Sequence, residues 1–128
     1  MVLVDDCGTV INPLLAEGQV HGGVAQGIAQ ALYEQIQYTP GTGQPVTASL
    51  LDYLVPTAPD LPEYTAGRIN NPCPNNPLGA KGIGESGAVG APAAVVNAIV
   101  DALARFGVEH IDMPVTPEKI WRILEEQR

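Results

Sequence analysis

From Asn70 to Gly87 this chain has to run irregularly, and that requirement shapes everything around it. Asn70-Asn71-Pro72-Cys73-Pro74-Asn75-Asn76-Pro77 holds three prolines and four asparagines in eight residues. Proline has no N–H for a ladder and asparagine bonds its own backbone in turns, so this cannot be an interior strand. Gly79-Ala80-Lys81-Gly82-Ile83-Gly84-Glu85-Ser86-Gly87 follows at once and leads into an apolar helix. Glycine permits close approach of backbone and ligand. The loop therefore presents one carboxylate, Glu85, that can be aimed at a bound group and surrounded by N–H donors, as a general base in a cofactor pocket would be.

The same loop admits two other readings. Gly82, Gly84 and Gly87 spell G-x-G-x-x-G, a dinucleotide fingerprint that counts only when it follows a strand and opens a helix. The Asn/Pro segment before it is no strand, so the match is accidental on this reading. Loop acids are also usually solvated, and taken alone Glu85 reads as an ordinary surface carboxylate.

The 128 residues suffice for one modest domain, and residues 1–128 read as a single domain or fragment. Apolar residues make up 45% of the chain, which separates it from disordered sequences. Its 14 glycines and 12 prolines are about a fifth of the total, against a usual share of roughly 12%, so much of the backbone is loop. The net charge of -8 with no basic patch speaks against nucleic acid as a partner. Cys7 and Cys73 are isolated and offer neither a zinc site nor a disulfide framework, which fits a reducing, cytoplasmic compartment. No apolar run is expected to reach the roughly 20 residues of a membrane span. A signal peptide is not expected either, since Asp5 and Asp6 interrupt the place for one.

Along the chain, Met1 to Val4 reads as a short buried strand and Asp5 to Thr9 as a turn. Asn12 and Pro13 read as N-cap and first helical residue. Val20, Val24, Ile28, Leu32 and Ile36 then recur every four residues in a helical stripe. Gly18, Gly22, Gly23 and Gly27 share that helix. Each disfavours it by about 1 kcal/mol against alanine, so a backbone or ligand is expected to approach closely there. Tyr38 to Pro45 is a turn, Ser49 to Pro62 is irregular, and Tyr64 to Ile69 is a candidate strand. Pro92 marks the start of a second helix with Val96, Ile99, Val100, Leu103 and Phe106 inward and Gly107 past its end. Thr116-Pro117-Glu118 opens a short last helix that docks through Ile120, Trp121 and Leu124.

Few other residues carry a chemical signal. His21 and His110 stand far apart without a metal or triad spacing, and a satisfied or exposed ring is the ordinary state of each. Ser86 lacks the G-x-S-x-G setting of a hydrolase nucleophile. Gln19, in the glycine-crowded first helix, offers two donors and an acceptor without charge, suited to a polar cofactor edge or simply to water.

Three segments, in order, resemble the C-terminal part of the molybdopterin-binding large subunit of the molybdenum hydroxylases, the xanthine dehydrogenase, aldehyde oxidase and carbon monoxide dehydrogenase family. They are Val4-Asp5-Asp6-Cys7-Gly8-Thr9-Val10-Ile11-Asn12-Pro13 with Gly18 to Gly27, then Asp52-Tyr53-Leu54-Val55-Pro56-Thr57-Ala58, then Gly82-Ile83-Gly84-Glu85-Ser86 leading to Gly90-Ala91-Pro92. The resemblance covers nearly the whole chain. It implies an oxidoreductase in which molybdenum is held by a pyranopterin. Glu85 would be the base beside the metal, Gln19 would hydrogen-bond the pterin, and Lys81, Gly82, Ile83 and Gly84 would line its loop. No residue of this chain is assigned as a metal ligand. Iron–sulfur clusters and FAD on partner subunits or domains would carry the electrons away. The substrate would be an aldehyde, a purine-like heterocycle or carbon monoxide, gaining a water-derived oxygen.

Large subunits of that family are several times longer than this sequence. The expectation is accordingly an α+β piece, about three helices packed with a few short strands and loop-rich, belonging to a larger molybdenum-cofactor-binding domain. Its partners would be the remainder of the subunit, the iron–sulfur and flavin subunits and a small substrate, with no nucleic acid and no membrane. Alone it would self-associate and turn nothing over. A non-catalytic folded remnant or interaction module, and a nucleotide-binding module on Gly82, Gly84 and Gly87, are the alternatives.

Overall fold

A computed structural model describes residues 1–127. The elements run β1 (Val2–Asp5), α1 (Pro13–Leu32), β2 (Thr65–Arg68), α2 (Ser86–Leu103) and α3 (Pro117–Glu126), with 3-10 turns at Ala58–Asp60 and Ala104–Phe106. This is the expected small α+β piece. The chain divides into two compact units. The first takes Met1–Gly27 with Pro59–Ala91, the second Ile28–Ala58 with the residues from Pro92 onward. The division falls within α1 and within α2.

In the first unit β1 and β2 pair in parallel, Val2 opposite Thr65 and Asp5 opposite Arg68. Parallel strands need a long crossover, and here it includes α1. The expected burial of β1 is corrected. Val2 and Val4, on one face of the strand, are 75% and 61% exposed. Two strands cannot cover their own faces, and no described element lies on this one.

α1 begins as its residues dictate. Asn12 Oδ1 accepts from Leu15 N at 3.1 Å, and Pro13 fills the first position, where its missing N–H loses nothing. Val20, Val24 and Ile28 are buried along the stripe, whereas the helix stops at Leu32, so Ile36 lies beyond it and is exposed. α2 corrects the sequence reading at its start. It begins at Ser86, six residues before Pro92, which stands inside the helix. The cause is a glycine contact. A Cβ on Gly87 would stand 2.5 Å from the Val20 carbonyl oxygen and 2.9 Å from Val24 N, and one on Gly23 would stand 3.0 Å from Ala88 N. The first turn of α2 therefore lies directly on the backbone of α1, a tertiary contact that outweighs the proline signal.

In the second unit Leu103, Val108, Ile111 and Val115 form the buried cluster, with Val96, Ile99, Val100, Phe106, Ile120, Ile123 and Leu124 packed against it. Gly107 ends the preceding turn at φ 77°. Thr116 caps α3 by accepting from Lys119 N, with Pro117 next. Ile120 and Leu124 dock as expected, but Trp121 is 61% exposed and Ile123 takes its place.

One expectation about length is overturned. Ser86–Phe106 is 21 residues with a mean hydropathy of 1.6, enough by length and composition to cross a membrane. Val96, Ile99 and Val100 of this helix pack on the cluster just described, and one such helix is by itself weak evidence of a span.

Candidate cofactor site in the first unit

The loop before α2 is held by a knot of backbone bonds. The Gly79 carbonyl accepts from Thr9 N at 3.0 Å and from Cys73 N at 2.9 Å, and Lys81 N donates to the Cys7 carbonyl at 2.8 Å. The Asn76 amide both donates to the Ala80 carbonyl and accepts from Ala80 N. Gly8 and Gly79 take φ values of 62° and 66°, and a Cβ on Gly8 would overlap the Gly79 carbonyl. Glycine is required at this crossing because side-chain-bearing residues resist both the conformation and the approach.

Asp6 completes the knot. Its carboxylate accepts from Gly8 N at 2.9 Å, from Asn71 N at 3.3 Å and from Lys81 Nζ at 2.7 Å. The Lys81 hydrogen bond, and after it the Gly8 amide, hold this carboxyl below the usual aspartate range. On sequence Asp6 was a turn residue only. Its partner lies 75 positions away, and no local spacing announces such a pair.

The predicted site residues converge in part. Gln19 is exposed on α1, and a methyl group at Gly84 would stand 3.9 Å from its Oε1. Gln19, Lys81 and Ile83 line one cavity of about 260 Å³ together with Cys7, Thr9, Val10, Ile11, Asn12, Leu15, Ala16 and Ala80. Gly82 is exposed, with open space where a side chain would be. Glu85 is not part of the cavity wall. It stands exposed in the turn before α2, and no hydrogen bond or ion pair holds its carboxylate among the described residues. The Ser86 hydroxyl is turned to the Ile83 carbonyl at 3.3 Å.

Two features depart from the sequence reading. His21 is half-buried, and its Nε2 and the Tyr64 hydroxyl are buried without hydrogen-bond partners among the described residues, the rings 5.4 Å apart and tilted by 55°. Burial pushes the Tyr64 phenol up. The glycines of α1 also divide. Gly23 serves the contact with α2, whereas Gly18 and Gly22 face open space. Gly87 is consumed by the helix contact, which takes the third glycine of the G-x-G-x-x-G pattern away from any phosphate.

The second unit holds a larger cleft of about 560 Å³, lined by Tyr33, Asp52, Lys119 and Arg122 among others and by none of the candidate site residues. Its cations are spent. Lys119 Nζ donates to the Asp112 carbonyl and Arg122 pairs with Glu118. The first unit is the better site on chemistry.

The group implied by the resemblance can be tested against these residues. A pterin offers a polar edge and a broad flat body. The Gln19 amide, the bare backbone at Gly82 and Gly84 and the partly apolar cavity beside them fit one wall of such a group.

Known proteins match in the same sense. Residues 1–62 match the family described as molybdopterin cofactor-binding domain. The carbon monoxide dehydrogenase large chain of Hydrogenophaga pseudoflava is 42% identical over 123 residues, 96% of this chain and 15% of that protein. The nicotine 6-hydroxylase large subunit of Paenarthrobacter nicotinovorans is 47% identical over 119 residues, 93% of this chain and 14% of that protein. The crystal structure of quinoline 2-oxidoreductase from Pseudomonas putida 86 superposes with a TM-score of 0.92 at 48% identity, covering 98% of this chain and 16% of that one. This chain thus spans about 15% of the length of the curated relatives it matches. It belongs to the molybdenum hydroxylases, as a piece of their molybdopterin-binding large subunit.

Proposed function

We propose that this chain supplies the general base and one wall of the cofactor site in a molybdenum-dependent hydroxylase, acting with the remainder of its subunit. The observation that carries the reading is the approach of Gln19 to Gly84, on the loop that presents an unpaired Glu85. The amide of Gln19 thus lies beside Gly84, the residue next to Glu85, which supports a shared role for the two.

When bound, the molybdenum–pyranopterin group supplies two-electron redox chemistry. The residues of this chain bind, shield and take up the proton. Gln19 donates and accepts at the polar edge of the pterin. The bare backbone of Gly82 and Gly84 lets the group come close, and Ile83 and Leu15 exclude water from one side. Glu85 accepts a proton on its carboxylate as water is turned into the oxygen nucleophile, a role that needs a carboxylate free of other partners. The substrate is a small molecule oxidised at carbon, of the aldehyde, heterocycle or carbon monoxide class, and the electrons leave through iron–sulfur and flavin partners. A reducing, cytoplasmic setting suits such a complex.

The test is assembly with the remainder of the subunit, followed by counting molybdenum and pterin per protomer. Gln19→Ala is expected to lower cofactor retention as well as rate, because it removes a binding contact. Normal cofactor content in that variant would overturn the Gln19 assignment.

A further inference from the structure

Lys81 is the last firmly anchored residue before Glu85. Its N–H is bonded to Cys7 and its ammonium to Asp6. Between it and α2 the loop exposes Gly82 and Gly84; Ser86 N and Oγ then reach the Ile83 carbonyl at 3.4 and 3.3 Å, and Ala88 N reaches the Glu85 carbonyl at 3.0 Å. The stretch that carries Glu85 is thus held at two ends, by Lys81 on one side and by the first turn of α2 on the other.

One carboxylate fixes Lys81. Asp6 takes three donors from three separate segments: the exit of β1 at Gly8, the loop after β2 at Asn71, and Lys81. The Asp6 and Lys81 side chains are 28% and 31% exposed. Exposed ion pairs usually contribute little. This one is partly shielded and shares its acceptor with two backbone amides, so it orders backbone rather than merely joining two flexible side chains.

We infer that Asp6 is a positioning residue for Glu85, and that Lys81 serves the site through Asp6 rather than as a cation offered to the cofactor. The catalytic half of this inference rests on Glu85 as the base; the clamp itself does not. Loss of the Asp6–Lys81 bond frees the loop at its N-terminal end and shifts Glu85 among positions from which it meets its proton badly. Misplacement by about an ångström is enough to slow an enzyme severely.

Two measurements separate the halves. The first is amide hydrogen exchange on the 128-residue chain, without cofactor, in Asp6→Asn, Lys81→Met and the double variant. The amides of Thr9, Cys73 and Lys81 are expected to exchange about tenfold faster in each single variant, no faster in the double, and near the wild-type rate in Lys81→Arg. Wild-type exchange in either single variant, or additive effects in the double, overturns the clamp. The second is kinetics of the complete enzyme. Asp6→Asn and Lys81→Met are expected to lower kcat about tenfold with KM and molybdenum content near wild type, and Lys81→Arg to recover most of the rate. Lost molybdenum in Lys81→Met with normal content and kcat in Asp6→Asn overturns the inference and makes Lys81 a cofactor cation. Full activity in Glu85→Gln overturns the base assignment and the catalytic half with it, while the exchange data report on the clamp alone.

Discussion

Gly87 and Gly22 are both helical glycines, yet only one of them is spoken for. A methyl group at Gly87 meets the backbone of α1 at 2.5 Å, whereas at Gly22 it meets nothing within 4 Å. Gly87→Ala is accordingly expected to lower the stability of the chain by about 1–3 kcal/mol, as overpacking does. Gly22→Ala is expected to raise it by up to about 1 kcal/mol through helix propensity. Urea unfolding of the two variants checks the pair, and equal effects would mean that the helices do not meet as described. The candidate site was legible in part as a set of residue types. Gln19 and Glu85 stood out by residue type and by glycine neighbours, and the structure brings Gln19 to the loop that bears Glu85. Asp6 was not legible, because its role depends on Asn71 and Lys81, far along the chain. The orphaned polar atoms of His21 and Tyr64 were hidden for the same reason.

Helix starts were readable wherever local chemistry decides them. Asn12 and Thr116 each carry a side-chain oxygen that takes an amide of the first turn, followed by proline. Thr116→Ala is expected to lower stability by about 1 kcal/mol, the usual loss for a missing cap. Thermal unfolding measures it, and an unchanged midpoint would show that tertiary packing alone holds α3. The start of α2 was misplaced because its first turn is set by contact with Gly23 rather than by a cap or by Pro92. β1 was right in place and wrong in burial: alternation of two valines marks a strand face, but not whether anything covers it. Trp121 was misjudged likewise, since helical spacing puts it near the docking face while Ile123 fills the contact.

Many large apolar side chains of the described residues are exposed. Val2, Val4, Leu14, Leu15, Leu50 and Leu51 are all exposed, Leu51 by 93%. Large uncovered apolar patches mark interfaces or associate, and a chain that spans about 15% of its relatives leaves such interfaces open. Self-association of the isolated chain is expected despite its net charge of -8, visible by light scattering, and a clean monomer at high concentration would contradict it. On the proposed reading, the groups that Glu85 would face lie on the remainder of the subunit. The central claim is that this carboxylate is the base of the completed site. The measurement is turnover of the assembled enzyme carrying Glu85→Gln at wild-type molybdenum occupancy. The amide keeps the size of the side chain but cannot take the proton, so the account predicts unchanged cofactor content and a rate lowered about 100- to 10,000-fold. Full activity at normal molybdenum content would contradict it.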